Sequence, residues 1–96
     1  MYKTPVDAAA FDRYYFGSHV ALAKTVPGLK GYDVMRAPIV TPAGPATYHL
    51  IAILSFDSMA DIQSALASPQ GQAVVADLGN FATGGVEIFM ADSEAV

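Results

Sequence analysis

The sequence contains no cysteine and no tryptophan among its 96 residues. The absence of cysteine excludes disulfide bonds, thiolate catalysis, zinc ribbons and iron–sulfur clusters. Basic residues are also few: five Lys and Arg side chains are scattered along the chain against nine acidic ones, which gives a net charge of −4. Without a basic patch to neutralise phosphates, we expect neither a nucleic acid nor an anionic membrane surface as a partner.

The chain also lacks the motifs that mark common cofactor and hydrolase sites. Its two histidines and dispersed carboxylates give no metal-ligand spacing. No glycine-rich loop follows a strand and opens a helix, and no Gly-x-Ser-x-Gly segment occurs. The sequence therefore predicts no metal and no bound cofactor, with haem kept as a minor alternative.

The length of the chain indicates one small domain. Ninety-six residues fit one domain spanning the whole chain, 1–96. The beginning shows no signal-peptide pattern, and together with the missing cysteines this leads us to expect a cytoplasmic protein. Residues 37–56 carry no Asp, Glu, Lys or Arg, but prolines and a glycine interrupt them, which predicts a hairpin and not a membrane span.

What the chain has in excess is apolar residues. The hydrophobic fraction is 53% and the mean hydropathy is +0.37, which is high for so short a chain. Either large apolar patches face water or another subunit covers them. Soluble proteins rarely expose such patches, which favours a covering subunit. We therefore expect an oligomer.

The order of predicted elements is β-α-β-β-α-β. Asp7 is placed to cap the first helix, Pro27-Gly28 to stop it, and Ser58 and Ser68 to begin the two parts of the second helix. This order is the split βαβ arrangement of ferredoxin-like domains, an α+β fold with a four-stranded antiparallel sheet and two helices on one face. The predicted elements are a short strand before residue 5, a helix over 8–26, strands over 29–39 and 48–56, a helix over 59–78, and a last strand over 85–91.

The strand over 48–56 is apolar on both faces. Leu50 and Leu54 point to one side, while Ile51 and Ile53 point to the other. Removing each isoleucine from water stabilises the protein by about 1.5–3 kcal/mol. We therefore expect a homodimer that stacks sheet to sheet and closes into a dimeric α/β barrel. The alternative is an ordinary antiparallel sheet with a few exposed isoleucines.

The first helix carries the residues best suited to chemistry. Its apolar stripe is Phe11, Tyr15, Leu22 and Val26, and His19 lies at the edge of that stripe, four residues after Tyr15. A histidine there can act as an acid or base, with Tyr15 orienting it or a substrate oxygen. The alternative is a partly buried histidine bonded to a backbone carbonyl. The predicted pocket lies between this helix and the sheet and is lined by Phe11, Tyr15, Leu22, Leu50 and Leu54.

Three other polar side chains are weaker candidates. His49 is expected to face the partner sheet from its strand, in an interface or strand-edge role. Arg36 can clamp an acidic or enolate oxygen, but a solvated or paired surface charge explains it equally simply. Glu87 is a candidate base on the last strand.

Several segments spread over nearly the whole sequence form a recognisable pattern. They are Tyr2-Lys3-Thr4-Pro5-Val6-Asp7, Phe11-Asp12-Arg13-Tyr14-Tyr15, His19, Leu22-Ala23, Pro27-Gly28-Leu29, Phe56-Asp57-Ser58-Met59, Ala67-Ser68-Pro69-Gln70-Gly71-Gln72-Ala73, Ala76-Asp77-Leu78 and Asn80-Phe81-Ala82-Thr83-Gly84-Gly85-Val86. These segments resemble the EthD family.

The resemblance implies a dimeric α/β barrel with a ferredoxin-like protomer. It also maps the family histidine of the first helix onto His19. The first strand departs from the family pattern, because Met1 immediately precedes Tyr2, and we expect this strand to be truncated.

The resemblance leaves two functions open. Family members are named for an accessory role in bacterial ether degradation beside a cytochrome P450 system, and many are labelled reductases. Relatives with the dimeric barrel include polyketide cyclases, muconolactone isomerases, quinone-forming monooxygenases and haem-handling enzymes. The first hypothesis is acid/base or oxidoreductase-type chemistry on a small apolar or aromatic metabolite, carried by His19 and Tyr15. The second is a non-catalytic binding or accessory module that supports an oxygenase or cytochrome P450 pathway of xenobiotic degradation.

Overall fold

The computed structural model describes all 96 residues as an α+β fold with an antiparallel sheet. None of its helices is long and apolar enough to cross a membrane. The elements, in chain order, are β1 (Tyr2–Lys3), α1 (Ala8–Tyr14), a π-helical segment (Tyr15–His19), α2 (Val20–Ala23), β2 (Gly31–Arg36), β3 (Val40–Thr41), β4 (Gly44–Pro45), β5 (Tyr48–Ser55), α3 (Met59–Ala67), α4 (Pro69–Asp77) and a 3₁₀ turn (Leu78–Asn80).

The main sheet has three strands in the order β1-β5-β2, all antiparallel. The predicted strand over 48–56 is confirmed as β5, whereas β2 is shorter than the predicted 29–39. Leu50 of β5 lies opposite both Tyr2 and Arg36, so the three strands meet at this residue. The predicted loop between β2 and β5 contains the two-residue strands β3 and β4, which pair with each other.

The prediction of a fourth strand over 85–91 is wrong. Only an isolated bridge joins Tyr2 to Val86. Met1 and Glu87 exchange two backbone hydrogen bonds of 2.7 and 2.9 Å, and the Lys3 amide donates to the carbonyl of Gly85 at 3.0 Å. The segment therefore runs beside β1 as the predicted topology requires. It does not extend into a strand because β1, with two residues, offers almost no edge to pair with.

The predicted helix caps are confirmed. The side chains of Asp7, Ser58 and Ser68 accept hydrogen bonds of 3.0 to 3.2 Å from backbone amides three residues ahead. Each bond satisfies an amide that the helix itself leaves without a partner. Ser68 is extended and Pro69 takes the first helical position, so the chain turns between α3 and α4 as the sequence indicates.

The π-helical segment corrects the predicted apolar stripe of the first helix. Residues four apart advance by about 40° around an ideal α-helix at 100° per residue. The wider π turn absorbs this drift, so Tyr15, His19 and Ala23 all face inward and are 0%, 2% and 1% exposed. Leu22, which the ideal α-helical pattern places inside, is only partly buried.

An aromatic cluster forms the centre of the core. Tyr2, Phe11, Tyr15 and Phe81 pack with ring centroids 5.2 to 5.7 Å apart, and Leu50 of β5 closes the cluster from the sheet side. Most of these ring pairs meet edge to face, the arrangement that the aromatic quadrupole favours. The cluster fixes the first helix, β1 and the loop after α4 against one another.

Candidate functional site

A cavity of about 420 Å³ lies beside the aromatic core, between the helices and the sheet. Tyr15 and His19 from the π segment form part of its wall, and Tyr32 of β2 and Leu54 of β5 line it from the sheet. Its volume is in the range typical of small-molecule sites, roughly 300–1,000 Å³. The cavity is mostly apolar, with the polar groups of His19, Tyr15 and Tyr32 in its wall.

The sequence-predicted pocket residues divide into two groups. Tyr15, His19 and Leu54 line the cavity together. Phe11 and Leu50 do not line it, because they pack on one another and on Tyr15 within the closed core. Leu22 does not line it either, because the π turn brings Ala23 inward in its place.

His19 forms a hydrogen-bonded pair with Asp77 at the end of α4. The distance from His19 Nδ1 to Asp77 Oδ2 is 2.8 Å, and the His19 ring packs on Phe81 with a centroid separation of 4.6 Å. The imidazole is thus held by a carboxylate, not by a backbone carbonyl. Such a partner fixes both the orientation of the ring and the nitrogen that carries the proton.

Asp77 is itself held by two further donors. The Tyr14 hydroxyl donates to its Oδ1 at 2.5 Å, and the Asn80 amide donates to the same oxygen at 2.9 Å. Burial acts to raise the pKa of Asp77, but the hydrogen bonds from Tyr14, His19 and Asn80 outweigh it and lower the pKa below the ordinary value of 3.8. Asp77 is therefore ionised at neutral pH and can only accept, so the proton of the pair lies on Nδ1 of His19.

The other ring nitrogen of His19 is free to act on a ligand. Nε2 makes no hydrogen bond with the protein. Every fully buried side-chain nitrogen and oxygen has a hydrogen-bond partner, so Nε2 is not fully buried. Nε2 is therefore the accessible atom of an otherwise buried ring, and His19 is part of the cavity wall. In the neutral imidazole this nitrogen carries a lone pair and can accept a proton.

Two tyrosine hydroxyls form the second polar group in the wall. Tyr15 and Tyr32 lie 2.6 Å apart through their hydroxyl oxygens, and both residues line the cavity. Burial raises the pKa of both phenols, so both stay protonated at neutral pH. One of the two protons makes the bond between them. Because Tyr15 is fully buried and Tyr32 only partly so, the other is available to a ligand oxygen from Tyr32.

Sequence reasoning missed four residues of this arrangement: Asp77, Tyr14, Asn80 and Tyr32. Asp77 is 58 positions from His19 and forms no spacing motif with it. Tyr14, Asp77 and Asn80 do fall within the segments that resemble the EthD family, which was the one available signal. Tyr32 is brought to Tyr15 by the packing of β2 under the first helix, which no local pattern encodes.

The remaining candidate residues are bound elsewhere. His49 does not face away from the helices: its Nε2 lies 2.8 Å from Asp12 of α1, and its ring meets the edge of Phe11. Arg36 pairs with Asp12 at 3.4 Å and lies over the ring of Phe16. This polar cluster of Asp12, Arg36 and His49 is separate from the cavity that holds His19.

The carboxylate of Glu87 is engaged as well. It accepts from the Tyr48 hydroxyl at 3.0 Å and lies 3.6 Å from the ammonium of Lys3. No three His, Cys, Asp or Glu side chains come together as a metal-binding group. The His19–Asp77 pair and the two tyrosine hydroxyls are therefore the chemistry-bearing groups of the cavity.

Comparison with known proteins identifies the family. Residues 3–85 match the EthD domain model. The chain belongs to the EthD family. A relative, described as an uncharacterised 11.0 kDa protein of the thcB–thcC intergenic region of Rhodococcus erythropolis, is 40% identical over 96 residues, which cover all of this chain and 92% of the relative.

Two solved structures are similar in fold. The crystal structure of an ethyl tert-butyl ether d (EthD) family protein from Bacillus halodurans is 31% identical, with a TM-score of 0.76 over 83% of this chain and 79% of the other. HapK from Hahella chejuensis is 17% identical, with a TM-score of 0.61 over 98% of this chain and 95% of the other, and shares the fold alone.

Replacing Asp77 with Asn tests the role of the carboxylate in the pair. We expect the free energy of unfolding to fall by about 1–2 kcal/mol at neutral pH, because the charged acceptor of three hydrogen bonds is lost. A lowered pKa in the folded state stabilises the protein above the ordinary carboxyl pKa, and this contribution disappears as the pH falls through the lowered value. Wild type and Asp77→Asn should therefore converge in urea titrations as the pH falls below 3.8.

Asp33→Asn is the matched control, since Asp33 is an exposed carboxylate of β2 without a side-chain hydrogen bond. It should leave stability within about 0.5 kcal/mol of wild type, as is usual for surface substitutions. An Asp77→Asn effect no larger than that of the control, or one that does not change with pH, would contradict the described network.

Proposed function

We propose that this EthD protein carries out proton-transfer chemistry on a small apolar or aromatic metabolite in the cavity. His19 is the catalytic acid/base. The hydroxyl pair of Tyr15 and Tyr32 binds a substrate oxygen, with the fully buried Tyr15 orienting the Tyr32 hydroxyl that the oxygen meets. The observation that supports this most is the hydrogen bond from Nδ1 of His19 to Asp77, which leaves Nε2 without a protein partner in a residue that lines an apolar cavity.

The arrangement suits removal of a proton next to a developing oxyanion. Nε2 of His19 takes the proton, and the Asp77 carboxylate stabilises the imidazolium that results. The free hydroxyl proton of the tyrosine pair donates to the substrate oxygen on which negative charge accumulates. Return of the proton from Nε2 to another position of the substrate completes an isomerisation or cyclisation. Oxidoreductase-type chemistry on such a substrate begins with the same proton removal.

The second candidate is a binding or accessory module that supports an oxygenase or cytochrome P450 degradation pathway. The Rhodococcus relative is encoded between thcB and thcC. This position favours the accessory role, because adjacent genes are often expressed together. In that case the cavity holds a metabolite, and His19 contributes a hydrogen bond and no turnover.

We further propose that the protein is a homodimer whose sheets stack into a dimeric α/β barrel. Met35 of β2 lies opposite Ile51 of β5, and Ile53 follows on the same face of that strand. Met35 and Ile53 remain 46% and 48% exposed, and Phe89 in the segment beside β1 is 73% exposed. A second copy of the same face would remove this apolar surface from water.

Met35→Lys tests the dimer without altering the cavity wall, because Met35 does not line the cavity. A charge in the middle of a stacked interface should convert the protein to a monomer in sedimentation velocity. Val40→Lys, at a 70% exposed position of the β3–β4 hairpin, is the control and should leave the dimer intact. A wild-type monomer at the concentrations of the assay would contradict the proposed assembly.

Proton exchange tests the catalytic proposal without knowledge of the natural substrate. Small neutral ketones such as 2-tetralone are incubated in deuterated buffer, and the loss of C–H signals next to the carbonyl is followed by proton NMR. Wild type should accelerate exchange, and His19→Gln should reduce the enzymatic rate by about 10²-fold or more, the usual contribution of a general base.

His49→Gln replaces the other histidine, which lies outside the cavity, and should retain the wild-type exchange rate. Equal rates for His19→Gln and wild type would rule out His19 as the base. Ligand binding without any exchange in wild type would favour the accessory module instead.

A further inference from the structure

We infer that the ligand of this cavity is an uncharged phenol or enol with an apolar body, and that carboxylates and phosphates are excluded. The inference rests on the proposed use of the cavity and adds the chemical class of its ligand. Two features of the wall carry it: its distribution of charge and the pairing of its hydrogen-bonding groups.

The wall contains no lysine or arginine side chain. Of the 24 residues that line the cavity, 21 are hydrophobic, and the other three are His19, Gly71 and Glu87. Three of the basic side chains are engaged in ion pairs: Lys3 with Glu87, Lys30 with Asp57 and Arg36 with Asp12. An anionic ligand would therefore enter an apolar space in which no lysine or arginine provides a counter-charge, which is unfavourable.

Two carboxylates and the amino terminus lie near the cavity. The Asp77 carboxylate is 2.8 Å from the His19 ring, and Glu87 belongs to the wall. The amino group of Met1 donates to the backbone carbonyl of Glu87 at 2.7 Å, and burial lowers its pKa, which weakens it as a partner for an anion. A carboxylate at the polar end of the cavity would thus face repulsion from Asp77, with no lysine or arginine in the wall to compensate for it.

The polar groups of the wall match a hydroxyl better than any other neutral group. The rings of Tyr15 and His19 are 5.4 Å apart, and the hydroxyls of Tyr15 and Tyr32 are 2.6 Å apart, so all three groups meet in one part of the wall. The tyrosine pair has one O–H to donate, and Nε2 of His19 has one lone pair to accept. A phenol or enol hydroxyl accepts the first and donates to the second. An ether or a ketone oxygen satisfies only the tyrosines.

This ligand class agrees with the proposed chemistry in one respect. The hydroxyl proton of an enol is the proton that Nε2 would remove on the way to the keto form. The remaining wall supplies apolar contacts for the body of the molecule, whose burial provides most of the binding free energy.

Calorimetric titration at neutral pH with three probes of nearly equal size tests the inference. The probes are 2-naphthol, 2-methoxynaphthalene and 2-naphthoate. We expect 2-naphthol to bind tightest and 2-methoxynaphthalene about 5- to 10-fold more weakly, since it lacks one donated hydrogen bond. 2-Naphthoate should bind at least about 100-fold more weakly than 2-naphthol because its charge is buried without a partner.

Tyr32→Phe removes the hydroxyl that pairs with Tyr15 and should weaken binding of 2-naphthol by about 3- to 10-fold. Tyr48→Phe is the control, because the Tyr48 hydroxyl is bonded to Glu87 and Tyr48 does not line the cavity. Binding of 2-naphthoate as tight as that of 2-naphthol would overturn the inference, as would failure of all three probes to bind. Tight binding of 2-naphthol without His19-dependent proton exchange would support the ligand class and overturn only the catalytic proposal.

Discussion

The hydrogen bond between His19 and Asp77 is the interaction on which the site depends. It joins the first helix to the end of α4, and the aromatic rings around it exclude water from most of the imidazole. A carboxylate at a helix C-terminus is disfavoured by the helix dipole. Hydrogen bonds from Tyr14, His19 and Asn80 keep Asp77 ionised there and offset the unfavourable dipole. The carboxylate can then orient the His19 ring.

The π-helical segment makes this arrangement geometrically available. In a regular α-helix Tyr15 and His19 would diverge around the axis, and only one of them would face the sheet fully. The π turn keeps both inside, with Tyr15 completely buried and His19 nearly so. Such insertions are found frequently at functional sites, because they place side chains that the regular helix cannot. Here the result is a base and a hydroxyl pair in the wall of the same cavity.

Local features of this protein were predictable from sequence, and long-range ones were not. The three helix caps, the strand β5 and the apolar character of both its faces follow from short patterns with direct physical causes. The choice of His19 and Tyr15 also follows from their spacing on one helix. Asp77 could not be found in this way, because its partnership with His19 exists only after α4 packs beside the first helix.

Two errors in the predictions have the same origin. The strand over 85–91 has a suitable sequence, but the two-residue β1 beside it leaves most of its backbone without a pairing edge. Leu22 has a suitable position for an ideal α-helix, but the π turn changes the phase of the helix before it is reached. In both cases the residues suit the predicted element, but an adjacent segment changes the local structure.

The proton on His19 provides the most direct measurement of the central claim. Nitrogen-15 NMR of the labelled protein shows which ring nitrogen of each histidine carries the proton. The hydrogen bond to Asp77 predicts that His19 is protonated on Nδ1 and carries its lone pair on Nε2. A His19 ring protonated on Nε2 would contradict the account, because the nitrogen that faces the cavity would then be unable to accept a proton.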